Sequence, residues 1–353
     1  MKITKKTIIA SVILFATASL FAYNPPNEGE NLFGFSNPFL LTNGSSTAGG
    51  GIFECSPSSM AVNPAILAFE QRVTFDFGYT GMFSSVDESA PYGQSFNLGA
   101  LMPTPFAVLG GEIVGVFVPF KEMQLGNSFT LKTAAAKKVA DRLSLGVGVN
   151  AGITYGYNTD WLLTADIGGL YEVGDLGFMK DIRFGASVLN IGKTYNSTTV
   201  KGIYGNQSNT SWKGYPCFMT VKTGAAANFV KTKDFVLGLS FDVSFPFFNN
   251  IIFDSGLQID IKDFFRLSTS WQYDMNAVAQ GYAIDIPTVG ISFKFNIDTK
   301  FIGNNEMKKS EMAVSSAWKN VNGNINAVSL GATVNLGQKD KEAPVIEIMD
   351  DEE

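Results

Sequence analysis

Residues 142–157, from Arg142 to Tyr157, read RLSLGVGVNAGITYGY, and this stretch decides the fold. Leu143, Leu145, Val147, Val149, Ala151, Ile153, Tyr155 and Tyr157 fall on one parity. Arg142, Ser144, Gly146, Gly148, Asn150, Gly152, Thr154 and Gly156 fall on the other. Apolar residues at every second position mark a strand with one apolar face and one polar or very small face. The run exceeds the ~5–6 residues usual in soluble sheets and is nearer the ~9–11 that a tilted strand needs to cross a bilayer. Its apolar side suits lipid and its polar side a lumen.

The pattern recurs along most of the chain. Val73, Phe75, Phe77 and Tyr79 alternate with Arg72, Thr74, Asp76 and Gly78; Phe96, Leu98, Ala100 and Met102 alternate in the next run. Phe235, Leu237, Leu239, Phe241, Val243, Phe245 and Phe247 form a second long apolar face, opposite Gly238, Ser240, Asp242 and Ser244. Further strands are expected at 106–119, 129–139, 161–173, 182–191, 217–230, 251–261, 264–273, 288–297, 312–318 and 325–336. The total is about fourteen, an even number that suits a bacterial outer-membrane barrel with both termini on the periplasmic side.

Connection lengths agree with that orientation in part. The expected outer loops at 84–93, 192–216 and 274–287 are long, and the inner turns at Ala140–Asp141 and Lys262–Asp263 are short, the asymmetry such barrels show. The inner stretches 174–181 and 299–310 are longer than this asymmetry asks for. Tyr155, Tyr157, Trp161, Trp271, Tyr273 and Trp318 sit near strand ends, where interfacial aromatics belong. Ordinary packing in a β-sandwich is the alternative reading of these side chains. Fourteen long strands in a chain only 16% charged favour the barrel.

Composition points the same way: 45% of the 353 residues are apolar, with 36 glycines and 30 phenylalanines. No apolar run beyond the leader approaches the ~18–20 residues of a spanning helix, so a membrane-embedded chain must be a closed barrel. The leader is residues 1–22. Lys2, Lys5 and Lys6 precede a mostly apolar run from Ile8 to Phe21, and Ala16, Ala18 and Ala22 offer cleavage after Ala18 or after Ala22. Loss of its three lysines moves the formal charge from −6 to −9, which speaks against nucleic acid as a partner. Histidine is absent, which removes every histidine-based triad, zinc site and proton shuttle. With no catalytic spacing among the carboxylates and serines either, the reading is a non-enzyme without a cofactor or metal.

Residues 23–71 are irregular and rich in Pro, Gly, Asn and Ser, with one short helical turn expected at Pro64–Phe69. They form either a disordered arm or a plug; the interleaved Leu32, Phe33, Phe35, Phe39, Leu40 and Leu41 need a surface to bury against, and a barrel lumen supplies one. The barrel proper is expected over 72–337, followed by an acidic periplasmic tail, 338–353, with seven acids in QKDKEAPVIEIMDDEE. Cys55 and Cys217 are the only cysteines, either joined in one disulfide or left as two thiols in apolar surroundings. Gly49, Gly50 and Gly51 lack the Lys-Ser/Thr that would follow in a phosphate loop and read as flexible backbone.

The phrase MAVNPAILA, Met60–Ala68, carries an Asn-Pro-Ala triplet at Asn63, Pro64 and Ala65 just before the first strand. It resembles the FadL-like family of outer-membrane long-chain fatty-acid transporters, in which such a triplet lies in the N-terminal plug of a fourteen-stranded barrel. Two further phrases, ASVLNIGK at Ala186–Lys193 and YPCFMTVKTGAAANF at Tyr215–Phe229, are similar to a related branch that includes shuttle barrels of a secretion system. The resemblance implies passage of a hydrophobic molecule, a long-chain fatty acid first, through a plugged lumen gated by the N-terminal segment. Asn63 and Pro64 would shape the plug, Pro by fixing its backbone and Asn by bonding to nearby amides; a plain turn before the first strand is the alternative. The chain departs from the family in ending its last strand on Leu336 and Gly337, with an acidic extension where an aromatic residue commonly stands.

Charges on the polar parity, among them Arg72, Asp76, Asp166, Asp242, Asp254, Asp260 and Lys294, belong to the lumen. Arg72 and Lys294 are candidates for holding a ligand carboxylate; a solvated interior wall accounts for them equally. Two function classes follow. One is uptake of hydrophobic molecules, with outer-membrane lipid as the surroundings. The other is a binding or assembly barrel that docks a periplasmic or surface protein through the acidic tail.

Overall fold

The computed structural model describes residues 32–42, 46–84, 92–120, 123–155, 159–194, 198–199, 211–212, 219–248, 250–279, 286–297, 310–321 and 325–337. The expected leader, the first nine residues of the expected plug, Cys217 and the acidic tail lie outside the described residues. The strands are β1 (Val73–Ser84), β2 (Tyr92–Pro103), β3 (Val108–Phe120), β4 (Met123–Ala140), β5 (Leu143–Tyr155), β6 (Asp160–Leu176), β7 (Met179–Lys193) and β8 (Thr198–Thr199). They continue with β9 (Ser211–Trp212), β10 (Thr220–Lys231), β11 (Phe235–Pro246), β12 (Ile252–Ile261), β13 (Phe265–Asp274), β14 (Thr288–Ile297), β15 (Ser310–Val321) and β16 (Ile325–Leu336). Strands β8 and β9 pair only with each other; the other fourteen form one closed antiparallel barrel, each beside its neighbour in sequence.

Closure is made by β1 against β16, from Val73 opposite Leu336 to Ser84 opposite Ile325. No open edge remains, which is the condition for a sheet to stand in lipid. Among the described residues no helix is long and apolar enough to cross a membrane.

Strand β5 shows why the alternation reads as it does. Val147 and Val149 are 58% and 51% exposed on the outer face, whereas Ser144 and Asn150 are 1% and 2% exposed on the inner face. The same division runs round the barrel: Phe75, Leu98, Ile167, Phe241 and Trp271 point out, and Asp76, Asn97, Asp166, Asp242 and Ser270 point in.

The inner turns are shorter than the sequence suggested. Strands β6 and β7 continue through 174–181 until Leu176 pairs with Met179, leaving Gly177, at φ 61°, in a tight turn. Glycine reaches that backbone region without the clash a Cβ would bring. Lys262 and Asp263, between β12 and β13, both have positive φ (56° and 50°), as tight hairpins require. Of the expected inner stretch 299–310, all but Ser310 lies outside the described residues.

One irregularity shapes the interior. Thr164, Ala165 and Ile167 of β6 pair with Gly192, Ile191 and Val188, so Leu189 and Asn190 of β7 together oppose Asp166. Asn190 has φ 59°, and its N–H donates to the Asp166 carboxylate at 2.6 Å. This bulge turns both Leu189 and Asn190 inward, each almost fully buried.

The N-terminal segment runs inside this wall. It holds a short helix, Pro38–Thr42, and 3-10 turns at Leu32–Phe35, Pro57–Ala61 and Pro64–Phe69. Its hydrogen bonds reach β2 from Asn37, β13 from Leu41, β11 from Thr47, β12 from Ile52, β1 and β3 from Ser58, and β7 from Val62. A chain that touches strands on every side of a closed barrel must lie within it.

Because the outer parity is the lipid face, Val149→Arg near the middle of β5 should destabilise the barrel by about 2–4 kcal/mol. Equilibrium unfolding in lipid vesicles, compared with the wild-type chain, measures this loss.

Candidate functional site

The Asn-Pro-Ala triplet is the firmest contact between segment and wall. Asn63 caps the Pro64–Phe69 turn, its Oδ1 accepting from the Ala65 N–H at 3.0 Å. Its Nδ2 donates to the carbonyls of Thr47 at 2.8 Å and Gly169 at 3.0 Å, so one buried amide ties two parts of the segment to β6. The facing wall has no side chains to hold it off. A Cβ on Gly168 would stand 2.0 Å from Asn63 Oδ1, and one on Gly146 would stand 2.4 Å from the Pro64 carbonyl carbon. These two glycines are cross-strand partners, and Gly146 belongs to the small inner parity of the stretch from Arg142 to Tyr157.

Polar side chains complete the attachment. Arg183 donates to the carbonyls of Ala48 (3.0 Å), Gly50 (2.6 Å) and Gly51 (3.1 Å), and its guanidinium lies 5.0 Å from the centre of the Phe53 ring. The Asp242 carboxylate accepts from both the N–H and the hydroxyl of Thr47. On the far side, the Ser58 hydroxyl lies between Asp76 at 2.6 Å and Glu112 at 3.0 Å, with one proton to give, while Asn97 Nδ2 lies within 3.2 Å of both carboxylates. Each buried acid is thus met by donors, as burial of charge demands.

Beside this scaffold lies a cavity of about 100 Å³, between the segment and strands β7 and β10–β15. Phe35, Leu40, Leu41 and Val62 of the segment line it, with Leu189 and Ile252 of the wall. Lys222, Asp254, Gln272 and Lys319 supply its polar end. Lys319 Nζ donates to Gln272 Oε1 at 3.1 Å and lies 5.4 Å from the centre of the Phe35 ring; Lys222 stands 4.0 Å from Asp254. The volume is below the ~300–1,000 Å³ that encloses a drug-sized ligand and of the order of the ~150 Å³ that takes one benzene. A long-chain molecule is larger than this cavity.

The residues singled out from sequence are scattered relative to this cavity. Asn63, Pro64 and Ala65 anchor the segment beside it. Arg72 lies elsewhere on the inner wall, with Nε 3.3 Å from Glu70 and Nη1 2.7 Å from Glu311. Lys294 sits at the barrel's inner end, paired with Asp263 at 2.7 Å. Cys55 packs against Met60, Leu67 and their apolar neighbours; Cys217 lies outside the described residues, and with it the choice between a disulfide and two thiols. Gly50 and Gly51 turn their carbonyls to Arg183, an arrangement for a cation rather than a phosphate.

Leu189, Lys222 and Lys319 went unnoticed in the sequence. A strict alternation places either Leu189 or Asn190 in the lumen; the bulge places both there, and the one local sign is the Asn-Ile-Gly that follows Leu189. Nothing in the sequence brings Lys222 and Lys319 near each other.

No family model and no curated protein matches this sequence. Among solved structures, a deltaS2 mutant of the TodX monoaromatic hydrocarbon channel matches with a TM-score of 0.52 at 10% identity, covering 88% of this chain and 100% of that one. The Pseudomonas putida toluene transporter TodX matches with a TM-score of 0.48 at 11% identity (86% and 97% covered), and the CymD monoaromatic hydrocarbon channel with 0.46 at 12% (87% and 99%). The first alignment shows a shared barrel fold; the other two scores are too low to add to it.

Asn63→Ala removes a cap and two tethers without touching a strand, and should cost about 1–3 kcal/mol of segment attachment. Heat-modifiable gel mobility should show the barrel still closed, while limited proteolysis cuts within residues 46–71 faster than in the wild-type chain.

Proposed function

We propose that the chain is a FadL-like outer-membrane channel that takes up hydrophobic molecules, with long-chain fatty acids as its cargo and the N-terminal segment as its gate. The observation that carries this reading is the cavity, whose apolar lining is half built from the segment itself and which also has two lysines, Lys222 and Lys319, in its wall. An acyl chain would lie against Phe35, Leu40, Leu41, Leu189 and Ile252. Its carboxylate would reach Lys319, in competition with Gln272, and Lys222.

Only part of such a ligand fits the closed cavity, so entry and segment movement are coupled. The segment's apolar residues are the ones that ligand binding would uncover and re-cover, which makes displacement inexpensive in apolar area. The likeness of fold to a monoaromatic hydrocarbon channel supports a hydrophobic cargo and offers a neutral competitor for the test. The docking alternative rests on the acidic residues 338–353, which the structure does not describe.

Native mass spectrometry with lipid extraction on the detergent-purified protein should find a retained long-chain acid. Lys319→Met should weaken fatty-acid binding about tenfold or more, since a hydrogen bond to a charged group contributes ~1.5–3 kcal/mol, and should leave toluene binding unchanged. Toluene bound by a protein that ignores fatty acids would reject the acid as cargo; binding of neither would reject the channel reading.

A further inference from the structure

We propose that the way out of the cavity is a hydroxyl-lined seam between the helix Pro38–Thr42 and the inner face of β13–β15, and that the Glu54–Arg266 ion pair is the latch at its inner end. This rests on the channel reading above and adds the path and the residue that closes it.

Two smaller voids, of about 20 Å³ and about 10 Å³, lie farther down the same strands; they share Glu54, Arg266 and Ser292 with each other and no residue of the second lines the main cavity. Their order is the same on three adjacent strands. On β13 the main cavity touches Ser270, the second void Ser268, and the third Phe265; Arg266 borders both the second and the third. On β14 the sequence is Thr288, then Gly290, then Lys294, with Ser292 shared by the last two voids. On β15 it is Lys319, then Ser316, then Ala313. From Thr288 to Lys294 the strand rises about 20 Å, at ~3.3 Å per residue. The three voids are therefore one interrupted line running down a single wall.

Two thin partitions interrupt it. The upper one is the hydrogen bond from Ser270 Oγ to the Leu41 carbonyl at 3.1 Å, with Thr42 against Gly290 below it. The lower one is Glu54 on Arg266. Arg266 belongs to the wall: its cross-strand partner Asp260 grips it in two bonds, Nε to Oδ1 at 2.5 Å and Nη2 to Oδ2 at 2.9 Å. Glu54 belongs to the segment. The segment can therefore let go of Arg266 without leaving a buried cation unpaired, because Asp260 stays.

The opposite wall meets the segment differently. There the segment lies directly on Gly146, Gly168 and Gly185, Asn63 of the segment donates to the Gly169 carbonyl of the wall, and Arg183 of the wall donates to carbonyls of the segment. A rigid face and a face bridged across voids make a hinge side and an opening side. Below the latch, Lys294 stands at the mouth of the seam, paired with the exposed Asp263, where it would meet a departing carboxylate.

The test needs no cargo. In a background of Cys55→Ser and Cys217→Ser, Ser268→Cys puts a thiol in the second void, and Ser144→Cys puts one on the inner face of β5. Each is treated with the anionic reagent 2-sulfonatoethyl methanethiosulfonate in proteoliposomes, with and without Glu54→Gln, after heat-modifiable mobility confirms a closed barrel. The expected result is at least tenfold faster modification at position 268 when Glu54 is neutralised, no change at position 144, and a fall in single-channel conductance of the Glu54→Gln protein once position 268 is modified. An unchanged rate at position 268 overturns the seam. Equal acceleration at both positions also overturns it, since that is general loosening of the segment. A protein that shows the expected labelling yet binds no hydrophobic molecule would keep the seam and lose the cargo.

Discussion

Everything in this molecule depends on the pairing of β1 with β16. In lipid an unpaired backbone N–H or C=O has no water to turn to, so a sheet survives only by closing on itself. Once closed, the pleat divides every strand into a lipid face and an inner face, and the alternation of Val149 with Asn150 is the local form of that division. The inner face then encloses a space that either water or protein must occupy. Residues 32–42 and 46–71 occupy part of it.

The way they do so explains the interior chemistry. A polar wall and a polar-backboned segment must satisfy each other, because each hides the other from water. Arg183 answers three carbonyls, Asp242 answers Thr47, and Ser58 with Asn97 answers Asp76 and Glu112. Buried ions of this kind are costly to orphan, by about 3–5 kcal/mol when one partner is removed. They act beside two apolar clusters, in which Met60 and Leu67 pack on Leu101 and Val108, and Ala65 and Ile66 on Leu170 and Ala226. The attachment is nevertheless uneven. Glycines of β5–β7 admit the segment's backbone to van der Waals contact, whereas β12–β15 meet it through side chains with voids between. Close packing resists small displacements more than separate polar contacts between voids do.

Much of the fold was legible because strand periodicity is local. The fourteen expected strands are the fourteen of the barrel, and β5, β11, β12 and β14 begin and end within a few residues of where the alternation does. The stretch 174–181 looked like a loop because Gly174, Gly177 and three charged residues interrupt the pattern, yet the strands simply continue to a tight turn. The triplet at Asn63 was visible as a motif, and its capping role follows from residue type alone. The bulge at Leu189 was hidden, because a strand read on its own gives no sign of how many residues its neighbour opposes to it.

The sequence by itself determined what each residue can tolerate on its two sides: which face of a strand suits lipid, where a turn must fall, which residue starts a helical turn. These are properties of a few consecutive residues and their side chains. Only the tertiary structure decided which residues share the lumen, because that depends on closure and register between strands up to some 260 positions apart, as between Val73 and Leu336. Arg72 and Lys294 have the charge a ligand carboxylate would want, but register hands Arg72 to Glu70 and Glu311 and Lys294 to Asp263. Register also brings Lys222 and Lys319, nearly a hundred residues apart, to one cavity under Phe35.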